Sequence, residues 1–172
     1  MHDYIFTAWL QARRLNSAVL ALAPTLMQLR STAALVLRQT DTQWDDQGHH
    51  ELRAAGCGLR NISRGDFIVG CFTRSKPAAA GAARWTRAVV VANFDHADTQ
   101  WPTVGLDGAH HPVGPHHLTG VLEVNPHTGH EEALVDEVAG LPGMQLGLLA
   151  GGRRLLLLKG DDEHITALRS LG

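Results

Sequence analysis

Four histidines lie within the short run AHHPVGPHH, and their type and spacing are suited to binding a metal ion. They are His110, His111, His116 and His117. The run NPHTGHEE a few residues later adds His127, His130 and Glu131. Imidazole and carboxylate groups are the ligands of zinc and of non-haem iron, and antiparallel strands can bring such groups together. One hypothesis is therefore a small metal-dependent jelly-roll enzyme that uses the histidine-rich loops.

A second interpretation treats the same histidines as exposed side chains on turns. Glycines and prolines punctuate the run, and such turns offer no second shell that would fix the imidazole rings for a metal. The spacing from Pro112 through Gly114 to His117 resembles half of the second cupin motif, but Val121 stands where that motif has Asn. We favour the exposed-turn interpretation and predict that the chain carries no metal and no other cofactor.

A second candidate for acid–base chemistry follows the apolar run RAVVVANF. Here His96 lies between the carboxylates Asp95 and Asp98, and a neighbouring carboxylate can raise the pKa of a histidine and orient its ring. The simpler explanation is that Asn93 and Phe94 close a buried strand and that DHAD is a solvated bend. In that case the Asn93 side chain hydrogen-bonds the backbone of the turn. We favour the bend.

We predict no catalytic residue in this chain. A glycosidase needs two carboxylates that face each other across a cleft, about 5–10 Å apart, whereas the acidic pairs here are adjacent in the sequence and typical of turns and helix starts. No serine or cysteine lies in a nucleophile pattern. Four tryptophans could stack on sugar rings if exposed, although packing is the commoner role of each: Trp9, Trp44, Trp85 and Trp101. The carbohydrate-binding residues therefore stay unknown at this point.

The first part of the chain has the pattern of helices. Apolar residues recur at spacings of three and four between Tyr4 and Leu22, which predicts an amphipathic helix. Pro24 is expected to interrupt it, and Thr25 to cap a second helix with one apolar face. That face would hold Leu26, Leu29, Ala33 and Val36 or Leu37.

The rest of the chain has the pattern of short strands. After a polar, glycine-containing segment with at most one short strand, the runs DFIVGCFTR and RAVVVANF predict neighbouring antiparallel strands joined by a loop. Further short apolar runs recur between turn signals at intervals of about ten residues. The predicted fold is mainly β, an antiparallel β-sandwich preceded by one or two N-terminal α-helices. Its expected divisions are a helical segment 1–38, an irregular linker 39–65 and a sandwich domain 66–172.

Composition narrows the candidate partners. The 172 residues include 15 basic and 17 acidic side chains, with a formal charge of −2, and no basic cluster suited to a phosphate backbone. Nucleic acid is therefore not an expected partner. No uncharged run approaches the length of a membrane span, and Arg13 and Arg14 interrupt the N-terminal run in a way that a secretory signal does not. We expect no membrane contact, a cytoplasmic location, and two buried reduced thiols at Cys57 and Cys71.

Several of these motifs resemble the C-terminal end of α-amylase superfamily glycosidases and transglycosidases. In that family a last barrel helix with a Leu-x-x-Leu-Arg signature precedes a β-sandwich, whose hairpin has one strand ending in Phe-x-Arg and a next strand Arg-Val-Leu-Val-Val-x-Asn-Phe. Here the helix signature matches Leu26, Leu29 and Arg30, and the hairpin matches FTR at 72–74 and RAVVVANF at 87–94. The run HLTG at 117–120 is similar to a turn of the same family. The motifs of the catalytic barrel are not found in this chain.

The resemblance implies a non-catalytic C-terminal β-domain of a carbohydrate-active enzyme. Such a domain would stabilise a catalytic barrel or contact glycan, and the chemistry would be done elsewhere. The partners implied are a barrel domain or subunit and carbohydrate, and the N-terminal helices are a candidate surface for homo-oligomers. Two alternatives stay open, the metal-dependent jelly-roll enzyme and a structural module that mediates assembly.

Overall fold

Nine strands and two helices make up the part of the chain that the computed structural model describes, which is residues 13, 16–38, 49–63, 65–75, 85–107, 118–138, 141 and 143–160. Helix α1 is described over residues 16–26, and helix α2 spans His49–Ala54. The strands are β1 Leu29–Leu37, β2 Leu59–Ile62, β3 Phe67–Arg74, β4 Trp85–Asn93, β5 Thr103–Leu106, β6 Leu118–Val124, β7 Glu131–Val135, β8 Met144–Gln145 and β9 Arg153–Gly160.

The strands form two antiparallel sheets. The larger sheet has the order β1-β3-β4-β9-β6-β7, and the smaller has the order β2-β5-β8. Strands β3 and β4 are antiparallel neighbours, with Phe67 opposite Asn93 and Thr73 opposite Arg87. This pairing confirms the prediction made from DFIVGCFTR and RAVVVANF.

One hydrophobic core lies between the two sheets. The larger sheet contributes Val69, Val89, Val91, Leu156 and Leu158, and the smaller sheet contributes Leu59, Ile62, Val104, Leu106 and Met144. Burial of apolar surface between two sheet faces is what holds a sandwich together. The predicted mainly-β, antiparallel sandwich with an N-terminal helix is confirmed.

A second core covers the opposite face of the larger sheet. Leu22 of α1 packs there with Trp85, Ala88, Leu155 and Leu157. Because successive strand residues point to opposite faces, Val89 and Val91 belong to the first core while Val90 packs against the second. Both faces of the central strands are therefore covered, which explains why RAVVVAN and RRLLLL are apolar without alternation. No helix within the described ranges is long and apolar enough to cross a membrane.

The predicted second helix, starting at Thr25, is wrong. Residues 25 and 26 still belong to α1, with Pro24 in its last turn, and Leu29–Leu37 is strand β1, which pairs with β3. Ala33, Leu35 and Leu37 contact the first core at a spacing of two, which is the period of a strand. The run therefore fits both a helix and a strand, and its pairing with β3 selects the strand. The residues matched to a last barrel helix, Leu26, Leu29 and Arg30, divide between α1 and β1.

The described residues of the segment predicted as a linker contain two regular elements. It contains the short strand β2, as the sequence allows, and also α2, which the sequence pattern did not indicate. Leu52 of α2 is fully buried in the core between the sheets. A helix of six residues carries too short a pattern to be recognised by periodicity.

The two cysteines are joined by a disulfide, so the prediction of two reduced thiols was wrong. Cys57 follows α2 and Cys71 lies in β3, with their α-carbons 5.1 Å apart and both side chains buried in the core between the sheets. The bond ties the α2 region to the larger sheet. A spacing of 14 residues gave no motif from which to infer the pairing, since that pairing depends on the fold.

Removing this crosslink is expected to destabilise the protein. By loop-closure entropy, replacing both Cys57 and Cys71 by Ala should lower the free energy of unfolding by about 2–4 kcal/mol. Urea denaturation with and without dithiothreitol measures the effect. The wild type should lose stability on reduction, whereas the double alanine variant should be insensitive. Equal midpoints for the wild type in both buffers, together with two titratable thiols in the unreduced protein, would contradict the disulfide.

Candidate functional site

The side chain of Asn93 organises one end of the sandwich. Asn93 is the last residue of β4 and is buried. Its Nδ2 lies within hydrogen-bond distance of three backbone carbonyls, Asp98 at 2.7 Å, Leu149 at 3.1 Å and Leu148 at 3.4 Å. Its Oδ1 accepts from the backbone N–H of Asp95 at 2.9 Å. One amide therefore holds the bend at 94–98 and the turn at 148–152 against the end of the strand.

The bend itself is held by a carboxylate. Oδ1 of Asp95 accepts from the backbone N–H groups of Ala97 at 2.8 Å and Asp98 at 3.3 Å. The hydrogen bond from Ala97 is the main cause that lowers the pKa of Asp95 below its usual value. Asp95 is therefore a fixed anion, and His96 is exposed beside it. The favoured interpretation of DHAD as a solvated bend tied by Asn93 is confirmed.

A shallow cleft of about 290 Å³ opens next to this bend. We call it the Trp101 cleft. Its lining residues come from the start of β3, the bend and the segment before β5: Gly65, Phe67, Asp95, Asp98, Gln100, Trp101 and Pro102. The Gln100 amide joins its walls, since Oε1 accepts from the backbone N–H of Asp66 at 3.2 Å and the side chain also contributes to the lowered pKa of Asp95.

Trp101 is the most exposed aromatic group of the cleft, with 65% of its surface accessible. The segment around it pairs with the chain after β8, because Gln100 and Leu148 exchange backbone hydrogen bonds and Leu146 N–H donates to Pro102 O at 2.9 Å. Between these pairs the indole lies directly against Gly147. A β-carbon at Gly147 would lie 2.6 Å from Cζ3 of Trp101, closer than atoms can approach. The absence of a side chain at Gly147 therefore lets the ring rest on the backbone, and an added β-carbon would displace the ring.

A partly buried ion pair anchors the backbone under the ring. Nε of Arg154 donates to the Gly147 carbonyl at 3.0 Å, and Nη1 of Arg154 pairs with Oε2 of Glu123 at 2.9 Å. Burial raises the pKa of Glu123, and the charge of Arg154 opposes this shift. Trp101 is therefore an exposed ring on a rigid support, which lowers the entropy that binding would otherwise cost.

The structure describes two of the four tryptophans, and these two differ in exposure. Trp85 is 1% exposed and packs in the second core, where its indole N–H donates to Glu131 at 3.1 Å. Its role is therefore structural, as sequence reasoning favoured for any single tryptophan. Trp101 is the exception. Trp9 and Trp44 lie outside the described residues.

The four histidines predicted as an alternative metal site also lie outside the described residues: His110, His111, His116 and His117. Within the described ranges no group of three or more His, Cys, Asp or Glu side chains could hold a metal ion. Of the neighbouring run, His127 and His130 are exposed on the turn between β6 and β7, and Glu131 is engaged by Trp85. The metal hypothesis for His110, His111, His116 and His117 stays a prediction.

Two contributors to the cleft, Gln100 and Gly147, were not identified from sequence. Their roles depend on the pairing of the segments near residues 100 and 148, which lie far apart in the chain, and no local pattern specifies that register. The sequence did carry one signal for the cleft, the segment DTQWP, in which a tryptophan follows a run of polar residues.

No model of a known protein family, no curated protein and no solved structure matches this chain.

Replacing Asn93 tests whether its amide holds this end of the sandwich. Asn93→Ala should lower the free energy of unfolding by about 1–3 kcal/mol, because the Asp98 carbonyl loses the Asn93 donor and the Asp95 N–H loses its acceptor. Asn125→Ala is the matched control, since Asn125 also accepts from the N–H two residues later, at 2.9 Å, but on an exposed turn. That variant should cost less than about 1 kcal/mol. Chemical denaturation measures both, and equal losses would contradict the central role of Asn93.

Proposed function

We propose that this chain is a non-catalytic β-sandwich that binds carbohydrate in the Trp101 cleft. The observation that carries the proposal is an exposed indole on a fixed backbone support, next to two carboxylates, Asp95 and Asp98, of which Asp95 is held by backbone hydrogen bonds. An aromatic ring stacks on the apolar C–H face of a sugar, and carboxylates accept hydrogen bonds from its hydroxyl groups. A small number of fixed polar groups around an apolar surface is what gives a ligand site its selectivity.

The charge state of Asp95 supports binding rather than hydrolysis. A glycosidase general acid must hold a proton near neutral pH, which requires a raised pKa. The backbone hydrogen bond from Ala97 lowers the pKa of Asp95 instead. Asp95 is therefore suited to accepting hydrogen bonds from a sugar and unsuited to donating a proton to a leaving group.

We also propose that this β-sandwich lies beside a catalytic barrel. The strand motifs 72–74 and 87–94 resemble those of the C-terminal domain in α-amylase superfamily enzymes, and β3 and β4 are paired antiparallel as that hairpin would be. In this proposal the chain supplies glycan contact while chemistry is performed by another domain or subunit.

Substitutions at and under the ring test carbohydrate binding. In native gels containing hydroxyethylcellulose, amylopectin or methyl-esterified pectin, at least one polymer should retard the wild type. Trp101→Ala should weaken that binding at least about tenfold, because the stacking surface is lost, and Trp101→Phe should keep part of it. Gly147→Ala should also weaken binding, since it displaces the ring without removing it. Unchanged mobility of the wild type in all three polymers would contradict the proposal.

A second candidate function is contact with a barrel domain or a second copy through α1. Four of its described or flanking residues are large, apolar and exposed: Val19, Leu20, Leu26 and Met27. Leu20 and Met27 are 73% and 83% accessible, and exposed apolar side chains of this size grouped on one short helix and its end are typical of a contact surface. This surface favours a packing partner of apolar character.

Self-association tests that surface. If α1 presents it, the purified wild type should form oligomers in light scattering at high concentration, and Leu20→Ser combined with Met27→Ser should be monomeric. Leu149→Ser is the control for lost apolar area, because Leu149 has the same 73% accessibility elsewhere in the fold. A wild type that stays monomeric and binds no hydrophobic dye would argue against an apolar docking surface on α1.

A further inference from the structure

We infer that the Trp101 cleft selects neutral glycans and rejects glycans that carry uronic-acid carboxylates or sulfates. The inference rests on the proposed function and specifies the ligand class of the same cleft. It follows from the charges that line the cleft and from the hydrogen-bond acceptors and donors that they leave for a ligand.

Two carboxylates face the ligand position. Asp95 and Asp98 both line the cleft, and none of the described lining residues is Lys or Arg. Asp98 is exposed, and within the described ranges no group donates a hydrogen bond to its carboxylate. An anionic group of a ligand would be held near these charges without a compensating cation among the described lining residues, and like charges at close range repel.

Three of the described arginines lie near this end of the sandwich without lining the cleft: Arg38, Arg153 and Arg154. Two of them contact other groups. The guanidinium of Arg38 lies over the Phe94 ring, 5.4 Å from its centroid. Arg154 is paired with Glu123 and donates to the Gly147 carbonyl. Releasing Arg154 to an anionic ligand would leave the partly buried Glu123 without its partner, which is costly. These contacts favour a ligand that brings no negative charge.

The remaining polar groups suit hydroxyl groups. The carboxylates accept from O–H donors. Within the described ranges nothing accepts a hydrogen bond from the Trp101 indole N–H, so that group is a donor for a ring or hydroxyl oxygen. Acceptors and a donor beside an aromatic ring match a pyranose, which presents hydroxyl groups around an apolar face.

The test uses polymer pairs that differ in charge on the same backbone. Native affinity gels at about 10 mM ionic strength, with EDTA to remove bridging cations, would contain hydroxyethylcellulose or carboxymethylcellulose, amylopectin or carboxymethyl-amylopectin, and methyl-esterified pectin or polygalacturonate. For the polymer that binds, the anionic partner should bind at least about tenfold more weakly. The difference should narrow at about 0.3 M salt, because screening shortens the range of repulsion.

Two variants distinguish the effect on binding of a charge in the cleft from the effect of the net charge of the protein. Asp98→Asn should improve binding of the anionic polymer relative to that of its neutral partner, since Asn removes the charge but still offers an acceptor oxygen. Asp136→Asn removes the same charge at an exposed position directly after β7, outside the cleft, and should change the binding of neither polymer. Trp101→Ala should abolish the retardation by the neutral polymer.

The outcomes distinguish this inference from the proposed function. If the neutral and anionic partners bind equally, or the anionic one binds more tightly, and Trp101→Ala abolishes both, the inference is overturned while carbohydrate binding stands. If Asp98→Asn and Asp136→Asn have equal effects, the selectivity belongs to net charge and the inference is likewise overturned. If no polymer retards the wild type, the proposed function fails and the inference fails with it.

Discussion

One buried side-chain amide connects the parts of the molecule on which the proposed function depends. Asn93 ends a central strand and reaches the backbone of two separate segments, the bend 94–98 and the turn 148–152. A buried amide of this kind is stable only when its hydrogen bonds are made, and an unmade bond costs more than a made bond contributes. The loops at this end are therefore constrained in position even though they are exposed to solvent.

The packed sandwich is the rigid framework to which the Asn93 amide ties these loops. β4 lies between β3 and β9 in the larger sheet, with a core on each face. The disulfide between Cys57 and Cys71 adds a covalent link from α2 to the sheet. The backbone beneath Trp101 is fixed at two points, because Leu146 N–H donates to the Pro102 carbonyl and Arg154 donates to the Gly147 carbonyl. Binding surfaces of this kind lose little conformational entropy on binding.

Local patterns predicted the parts of this structure that depend on neighbouring residues. β3 and β4 were predicted because each is rich in β-branched and aromatic residues and they follow each other in the chain. The role of Asn93 was also predicted, since an asparagine at a strand end often bonds the following turn. β1 was mistaken for a helix because LRSTAALVL places small and apolar residues at both spacings, so its pairing with β3 had to decide.

Long-range register explains the features that sequence reasoning did not identify. Which tryptophan is exposed depends on long-range packing, since Trp85 packs in a core while Trp101 rests on Gly147. The disulfide, Gln100 and Gly147 likewise acquire their roles from residues distant in the chain.

The most direct measurement of the central claim is the response of individual indole N–H groups to a sugar. A ¹⁵N–¹H spectrum assigned with Trp101→Phe and Trp85→Phe variants would be recorded during titration with cellohexaose and with maltohexaose. The account predicts that the Trp101 signal shifts and saturates with at least one of them, while the signal of Trp85, whose N–H is bonded to Glu131, stays in place. An unmoved Trp101 signal with both sugars, or equal shifts of the two signals, would contradict the account.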